Sequence, residues 1–280
     1  MPIFGSYQDQ YSGGAYPRRG FKLFPIILFA LFALFYYFSH QEEVPLTGRR
    51  QLVGIDPQTE MALGLQSYEQ VLMQSQVVQA GPQVDLVRSV GERIARATEN
   101  ESFDWQFAVI DSEQVNAFCL PGGKVAVYTG ILPVAHDAAG LAVVLGHEIA
   151  HAIARHGAER MAHEQLAQYG QLALGMAVNE MDPERRRAVM GAFGLGAQFG
   201  ILLPFSRKHE SEADYMGLIY MARACFDPEE APRFWERMEK ASAAGQPLQF
   251  MSTHPSHETR VEQLRSWMPA ALAEKAKYCN

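Results

Sequence analysis

The chain has 280 residues, of which 48% are hydrophobic and 20% are charged. This composition is typical of a folded protein with one substantial core, and it excludes disordered and low-complexity chains. The formal net charge of -7, without a clustered basic segment, excludes the usual surface of a nucleic-acid binder, so no nucleic-acid partner is expected.

The first part of the chain predicts a membrane anchor. Residues 23–39 carry no charged side chain and no small-residue cleavage site follows them, which favours a retained transmembrane helix over 21–39. Arg18, Arg19 and Lys22 precede the segment, so the positive-inside rule predicts a short cytoplasmic tail over 1–20 and a translocated remainder. A twin-arginine signal at Arg18-Arg19 is the alternative. A linker over 40–56 would lead to a folded domain over 57–280.

The folded domain is predicted to be α+β and predominantly helical, with a small β-sheet. Alternating branched and aromatic residues predict the strands, 105–110 and 125–129, joined across a Pro-Gly-Gly turn. Apolar residues at helical spacing predict the helices, 57–79, 83–99, 137–171, 190–205, 206–224, 228–242 and 258–268. The glycine-rich segment 190–205 is interpreted as a packed helix, with a membrane contact as the alternative.

The three cysteines leave two interpretations open. Cys119, Cys225 and Cys279 have neither the close spacing of a structural zinc site nor the density of a disulfide scaffold. Cys225 and Cys279 could pair outside the cytosol, or all three could be buried thiols. The cysteines therefore do not define the compartment.

The segment His147-Glu148-Ile149-Ala150-His151 is the strongest indication of function. Positions i and i+4 lie on one face of a helix, so His147 and His151 can offer two imidazole nitrogens to one metal ion. Glu148 then lies beside the ion, where it can accept a proton from water. The pattern is that of a metalloprotease active site with Glu148 as its catalytic base.

A catalytic zinc ion needs a third protein ligand and an open fourth position. Ala154 and Gly157 exclude the arrangement in which a third histidine follows six residues after the second. The remaining solution is a carboxylate on another helix. We therefore expect Glu210 to be the third metal ligand and Asp214, one turn later, to accept a hydrogen bond from a ligand imidazole. Glu212 points away from that face.

Four segments carry a family resemblance, namely HEIAH, SRKHESEAD, NAFCLPGGK and TGRRQL. Over residues 46–268 the chain resembles the zinc metallopeptidase family that contains HtpX, BepA, LoiP, the mitochondrial Oma protease and the type I CAAX prenyl protease, and among these the bacterial periplasmic members most. The resemblance implies a zincin-type (gluzincin) metallopeptidase domain with one Zn²⁺ per chain. It also implies Glu210 as the third ligand, in agreement with the assignment above.

The resemblance suggests roles for two further segments. Asn116, Ala117 and Phe118 are expected to bind an extended substrate along the cleft, although an ordinary edge strand is the alternative. His254 precedes Pro255, which favours an extended loop, and it is expected either to close the metal site or to polarise the substrate carbonyl. Among the other histidines, His156 and His163 are predicted to be structural and His209 to lie at the surface.

The combined expectation is a membrane-anchored zinc endopeptidase that degrades misfolded or damaged envelope proteins, with polypeptides as substrates and outer-membrane or envelope assembly proteins as partners. It would be a single-pass protein of a bacterial inner membrane with its catalytic domain in the periplasm. The alternative is a chaperone or scaffold with the same fold and little proteolysis. The carboxylate base beside the metal ligands favours the enzyme, because a pure binding protein has no chemical need for it.

Overall fold

The computed structural model describes residues 21–198, 202–243, 249–254 and 259–279, so the predicted tail over 1–20 lies outside the described residues. The first half contains α1 (Leu23–Ser39), β1 (Gln41–Glu43), β2 (Arg50–Leu52), α2 (Pro57–Met73), β3 (Val77–Val78), α3 (Pro82–Ala97), β4 (Gln106–Ile110), β5 (Ala117–Leu120) and β6 (Lys124–Tyr128). The second half contains α4 (Leu132–Ala135), α5 (Ala138–Ile153), α6 (His156–Ala177), α7 (Pro183–Ala197), α8 (Leu203–Arg223), α9 (Glu230–Ala243), α10 (Gln249–Thr253) and α11 (Arg260–Tyr278). The predicted α+β, mainly helical architecture is confirmed.

The predicted transmembrane helix over 21–39 is not found among the described residues. The segment forms α1, a helix of 17 residues. Within the described ranges, no helix combines the length and the apolar character that a membrane crossing requires. Part of α1 packs instead on α6, where Phe32 meets the ring of Tyr169 edge-on with the ring centroids 5.8 Å apart.

The main sheet has the strand order β3-β4-β6-β5, and β5 lies at its edge. β4 runs parallel to β6, whereas β5 and β6 form an antiparallel hairpin with Ala117 opposite Val127. The hairpin turn uses Gly122 and Gly123 at φ values of 80° and 79°, a conformation that favours glycine. This geometry confirms the turn at Pro-Gly-Gly, but the turn joins β5 to β6, and the two strands predicted over 105–110 and 125–129 run parallel. Among the described residues, no strand pairs with the outer side of β5.

The helix predicted over 137–171 is two helices, α5 and α6, separated at Arg155. Asp137 is the N-cap of α5 and accepts hydrogen bonds from the backbone N–H groups of Ala139 and Gly140. Arg155 adopts a left-handed backbone at φ 55°, which ends α5. The Arg155 side chain stabilises this conformation by donating hydrogen bonds to Glu60 at 2.7 Å and to the carbonyl of Ile55 at 2.8 Å. Long-range bonds therefore stabilise a break that no glycine or proline marks.

The core of the domain is built around α5, which packs against the sheet on one side and α8 on the other. The two helices touch through their backbones, because a Cβ atom added to Gly146 would lie 2.9 Å from the carbonyl oxygen of Gly217. The helix α11 covers α8 and runs to Tyr278, well beyond the predicted end near 268. These contacts place the polar face of α8 against the histidines of α5.

A disulfide joins Cys225 to Cys279, with their Cα atoms 5.6 Å apart. It fastens the chain just after α8 to the residue that follows α11. Cys119 is a free, partly buried thiol in β5. The structure thus selects the paired interpretation for two of the three cysteines.

Candidate metal centre

Helix α5 contributes three side chains to the centre of the cleft. His147 and His151 lie one turn apart, and their Nε2 atoms approach to 3.1 Å. Glu148 is almost completely buried beside them. The α5 spacing therefore places two imidazole nitrogens and one carboxylate at the same site, as the sequence pattern predicts.

Helix α8 brings Glu210 to the two histidines. Its Oε2 lies 3.3 Å from Nε2 of His147, and its Oε1 lies 3.4 Å from Nε2 of His151. The close backbone contact of Gly146 with Gly217 makes this approach possible, since both glycines lie within two turns of the acidic and imidazole groups.

His254 follows α10 and completes the group. Its Nδ1 is 3.2 Å from Nε2 of His147 and 3.2 Å from Oε1 of Glu210, while its Nε2 is 3.4 Å from Oε1 of Glu148. The donor atoms of His147, His151, Glu210 and His254 all lie within 4.8 Å of one another. Pro255, which was expected to hold His254 in an extended loop, lies outside the described residues.

The donor set fits a shared metal ion. Five separations between donor atoms run from 3.1 to 3.4 Å, with Glu210 contributing Oε2 towards His147 and Oε1 towards His151 and His254. Imidazole nitrogens and carboxylate oxygens are common protein ligands of zinc. Imidazoles that face one another at this distance also need a shared cation or proton between them. The described residues are therefore suited to bind a divalent metal ion.

The charges around the donors favour a cation at the same point. Burial acts to lower the pKa of His147, but the carboxylates of Asp214 and Glu210 raise it to about 10. Burial acts to raise the pKa of Glu210, but His147, His151 and His254 hold it well below its usual range. Burial raises the pKa of Glu148. The buried carboxylates therefore stabilise positive charge on His147, whereas burial holds the pKa of His151 well below its usual range.

Asp214 lies where the sequence analysis expected it, behind a ligand imidazole. Its Oδ1 is 2.9 Å from Nδ1 of His147, so it can accept that N–H and leave Nε2 free to face the metal position. Sequence reasoning missed its partner, Arg260, which is fully buried. The guanidinium group donates to Asp214 at 2.6 Å and to Glu210 at 2.8 Å, and it lies 3.7 Å above the ring centroid of Trp235.

The expectation that His209 lies at the surface is wrong, because His209 is buried, as is Glu212. Nε2 of His209 lies 2.8 Å from a carboxylate oxygen of Glu159, and its ring stacks on that of His156. Glu212 lies 3.0 Å from Nε2 of His156. The two-residue step from Glu210 does turn Glu212 away from the metal face, but the neighbouring helix α6 covers it there.

A cavity of about 450 Å³ opens onto the donor group. On the sheet side its wall consists of Cys119, Leu120 and Pro121. Of the three residues expected to bind substrate, Ala117 is buried, and Phe118 packs against Tyr128 on the other side of the strand. The later part of β5 thus borders the cavity, and substrate binding by Asn116, Ala117 and Phe118 stays a prediction.

Comparison with known proteins reveals a family and several relatives. The model of peptidase family M48 matches residues 83–268. The mitochondrial metalloendopeptidase OMA1 of Schizosaccharomyces pombe is 38% identical over 244 residues, which cover 86% of this chain and 70% of that protein. The corresponding human protein is 32% identical over 94% of this chain and 52% of its own length. The beta-barrel assembly-enhancing protease of Escherichia coli is 28% identical over 64% of this chain and 38% of its own length.

These relatives correct the expected location. A single-pass protein of a bacterial inner membrane with a periplasmic domain was expected, but the relatives at 38% and 33% identity are named as mitochondrial proteins. The expected location also depended on the charge bias around a transmembrane span, and that bias orients a segment only if it crosses the membrane. Helix α1 does not meet that condition.

The family match spans the elements that build the site, from α3 through the start of α11, and it includes all four candidate metal ligands. The similarity to several metalloendopeptidases extends over most of the chain. The resemblance found in the sequence is therefore confirmed, and the chain belongs to peptidase family M48.

Proposed function

We propose that this chain is a zinc-dependent endopeptidase that hydrolyses peptide bonds in misfolded or damaged polypeptides. The observation that carries the proposal is the convergence of His147, His151 and Glu210 on one point with Glu148 beside them. The metalloendopeptidase relatives support the same reaction class.

Zinc would be held by His147, His151 and Glu210, and when bound it would polarise the scissile carbonyl and lower the pKa of a water molecule. Asp214 keeps the imidazole of His147 in the orientation that presents Nε2 to the ion. Arg260 balances the charge of the carboxylates of Glu210 and Asp214. One Zn²⁺ per chain accounts for these ligands.

Glu148 is proposed to move the proton. Its Oε1 is buried and has no hydrogen bond among the described residues, so the oxygen is available to accept a proton from water. The burial that raises its pKa makes it a better base than an exposed glutamate. The same oxygen would then return the proton to the leaving amine.

Substrate would bind beside β5 as an added strand. The outer edge of β5 has no partner strand in the described sheet, and its later residues border the cavity at the donor group. Backbone hydrogen bonds along such an edge bind a polypeptide with little dependence on sequence. That mode suits an enzyme that acts on unfolded chains.

His254 is proposed to be a gate. A catalytic metal needs one open position, and the ring of His254 occupies the fourth corner of the donor group. The side chain must therefore withdraw before a substrate carbonyl can reach the ion. The competing role, polarisation of the substrate carbonyl, would keep the ring near the reaction instead.

The test is degradation of unfolded casein by the purified full chain. We expect cleavage that a chelator abolishes and stoichiometric Zn²⁺ restores. Suppression of casein aggregation without cleavage, with zinc bound, would instead support the chaperone or scaffold alternative. Absence of zinc binding would overturn the metal site itself.

A further inference from the structure

A buried network of polar side chains connects the metal-ligand candidate His151 to the segment that precedes β2. Nδ1 of His151 lies 2.9 Å from Nδ1 of His156, and Nε2 of His156 lies 3.0 Å from Oε2 of Glu212. Glu212 in turn accepts hydrogen bonds from Nε of Arg49 at 2.7 Å and from the hydroxyl of Thr47 at 2.5 Å. These contacts join α5, α6 and α8 to a segment that lies 163 to 165 residues before Glu212.

Metal binding by His151 would fix which atom donates and which accepts in each hydrogen bond of this network. If Nε2 of His151 is to present its lone pair to a cation, the ring proton of His151 must be on Nδ1. That N–H can only point at Nδ1 of His156, which must therefore accept. The ring proton of His156 is then on Nε2, where the carboxylate of Glu212 accepts it.

Arg49 fixes the last acceptor in place. Its guanidinium group donates to Glu212 through Nε and to both oxygens of Glu159, at 2.9 and 2.7 Å, through its terminal nitrogens. Glu159 also lies 2.8 Å from Nε2 of His209, and both residues are buried. One arginine thus compensates two buried carboxylates on two helices, and it provides the charge that keeps Glu212 ionised and oriented.

We propose that Arg49 and Glu212 are positioning residues that act through His156 to hold His151 in its metal-binding tautomer. They complement Asp214, which does the same directly for His147. The inference rests on the proposed function, because it assumes that the site binds zinc. It assigns a role in metal binding to the segment around Arg49, which contributes no ligand of its own.

The experiment compares zinc affinity in full-length variants by competition with a chromophoric chelator. Arg49→Gln and Glu212→Gln should each weaken zinc binding about tenfold to a hundredfold, the usual effect of losing a group that supports a ligand. Arg50→Gln is the matched control, since this neighbouring arginine is 75% exposed and forms only a 3.8 Å pair with Glu43. Its zinc affinity should equal that of the wild type.

Two further readouts separate positioning from a purely structural role. A positioning role predicts that the rise in melting temperature on adding zinc becomes smaller in Arg49→Gln than in Arg50→Gln. Histidine ¹⁵N and ¹³C chemical shifts of the zinc-loaded wild type, which need no variant to fold, should show His151 protonated on Nδ1 and His156 on Nε2.

Each outcome has a distinct meaning. Equal zinc affinities for Arg49→Gln, Glu212→Gln and Arg50→Gln would overturn the inference, and so would a His156 proton on Nδ1 in the wild type. An equal loss of melting temperature with and without zinc in Arg49→Gln would overturn it as well. A wild-type chain that binds no zinc would instead overturn the proposed function on which the inference rests.

Discussion

Arg260 donates a hydrogen bond from its guanidinium group to the carboxylate of Glu210 at 2.8 Å, although neither side chain has appreciable contact with solvent. The same group bonds Asp214 at 2.6 Å. Arg260, on α11, therefore provides the counter-charge for two buried carboxylates on α8. The histidines His147 and His151 lie on a third helix, α5.

The first prediction concerns this cation. Arg260→Met leaves both carboxylates without their counter-charge, and removal of one partner from a buried ion pair destabilises a protein by about 3–5 kcal/mol. We expect a loss of that order in the free energy of unfolding, measured with urea, together with weaker zinc binding. Arg265→Met on the same helix is the control, since Arg265 is exposed. An equally small effect of both substitutions would contradict the assigned role.

The second prediction concerns the proposed base. Glu148→Gln should retain zinc but lose roughly 10²–10⁴-fold in kcat/KM on a peptide substrate, the usual contribution of general acid–base catalysis. The control is Glu164→Gln, because Glu164 is an exposed glutamate on the wall of the same cavity. Zinc content by atomic emission and cleavage of a fluorogenic peptide provide the two measurements. Near-normal turnover in Glu148→Gln would move the base to another residue.

The third prediction tests the gate. In His254→Ala the fourth corner of the donor group is free, so we expect zinc to remain bound within a few-fold of the wild-type affinity and casein cleavage to become faster. Steady-state kinetics of the two proteins at equal zinc loading decide the point. A lower kcat at an unchanged KM would instead assign His254 to polarisation of the substrate carbonyl.

The fourth prediction uses the disulfide. Cys225 and Cys279 are 54 residues apart, and in the chain-entropy model a cross-link of that span stabilises a protein by about 4 kcal/mol. A reductant should therefore lower the melting temperature of the wild type. The same reductant should leave the already lower melting temperature of Cys225→Ser unchanged. A similar response in both proteins would show that the effect does not come from this disulfide.

The fifth prediction is a pH dependence away from the metal site. Burial raises the pKa of Tyr68 to about 12, and its hydroxyl donates to the carbonyl of Val125 at 3.3 Å. Because an unfolded tyrosine ionises near pH ~10, the unfolded chain loses this proton first as the pH rises. Tyr68 therefore contributes stability that is present below pH ~10 and lost towards pH ~12.

The variant Tyr68→Phe should lack this loss of stability at alkaline pH. Urea unfolding at pH 8 and at pH 11 should show the wild type losing more free energy of unfolding than Tyr68→Phe over the interval. Parallel losses in the two proteins would mean that Tyr68 is equally easy to ionise in the folded and unfolded chains.

Local periodicity was sufficient to predict the part of the site that one helix carries. The spacing of His147 and His151 places them on one face, and the spacing of Glu210 and Asp214 does the same on α8. The pairing of these two helices followed from the chemistry of a zinc site, which needs a third ligand. Helix type and approximate bounds came from the same periodic pattern.

Residues that act across long distances in sequence could not be predicted in this way. Arg260 resembles any surface arginine until tertiary packing encloses it. Arg49 lies in the TGRRQL segment, but nothing in the local pattern indicates that its partners are Glu159 and Glu212. The left-handed Arg155 carries no glycine or proline signal, so the break between α5 and α6 was missed.

The contact of Gly146 with Gly217 has a consequence for how the site can vary. The separation between the imidazole half and the carboxylate half is set where two main chains meet, and no rotamer change can alter it. A methyl group at either glycine would act as a wedge and move both halves apart as rigid bodies. Substitution of either glycine is therefore expected to disturb the metal centre, although neither residue carries a functional group.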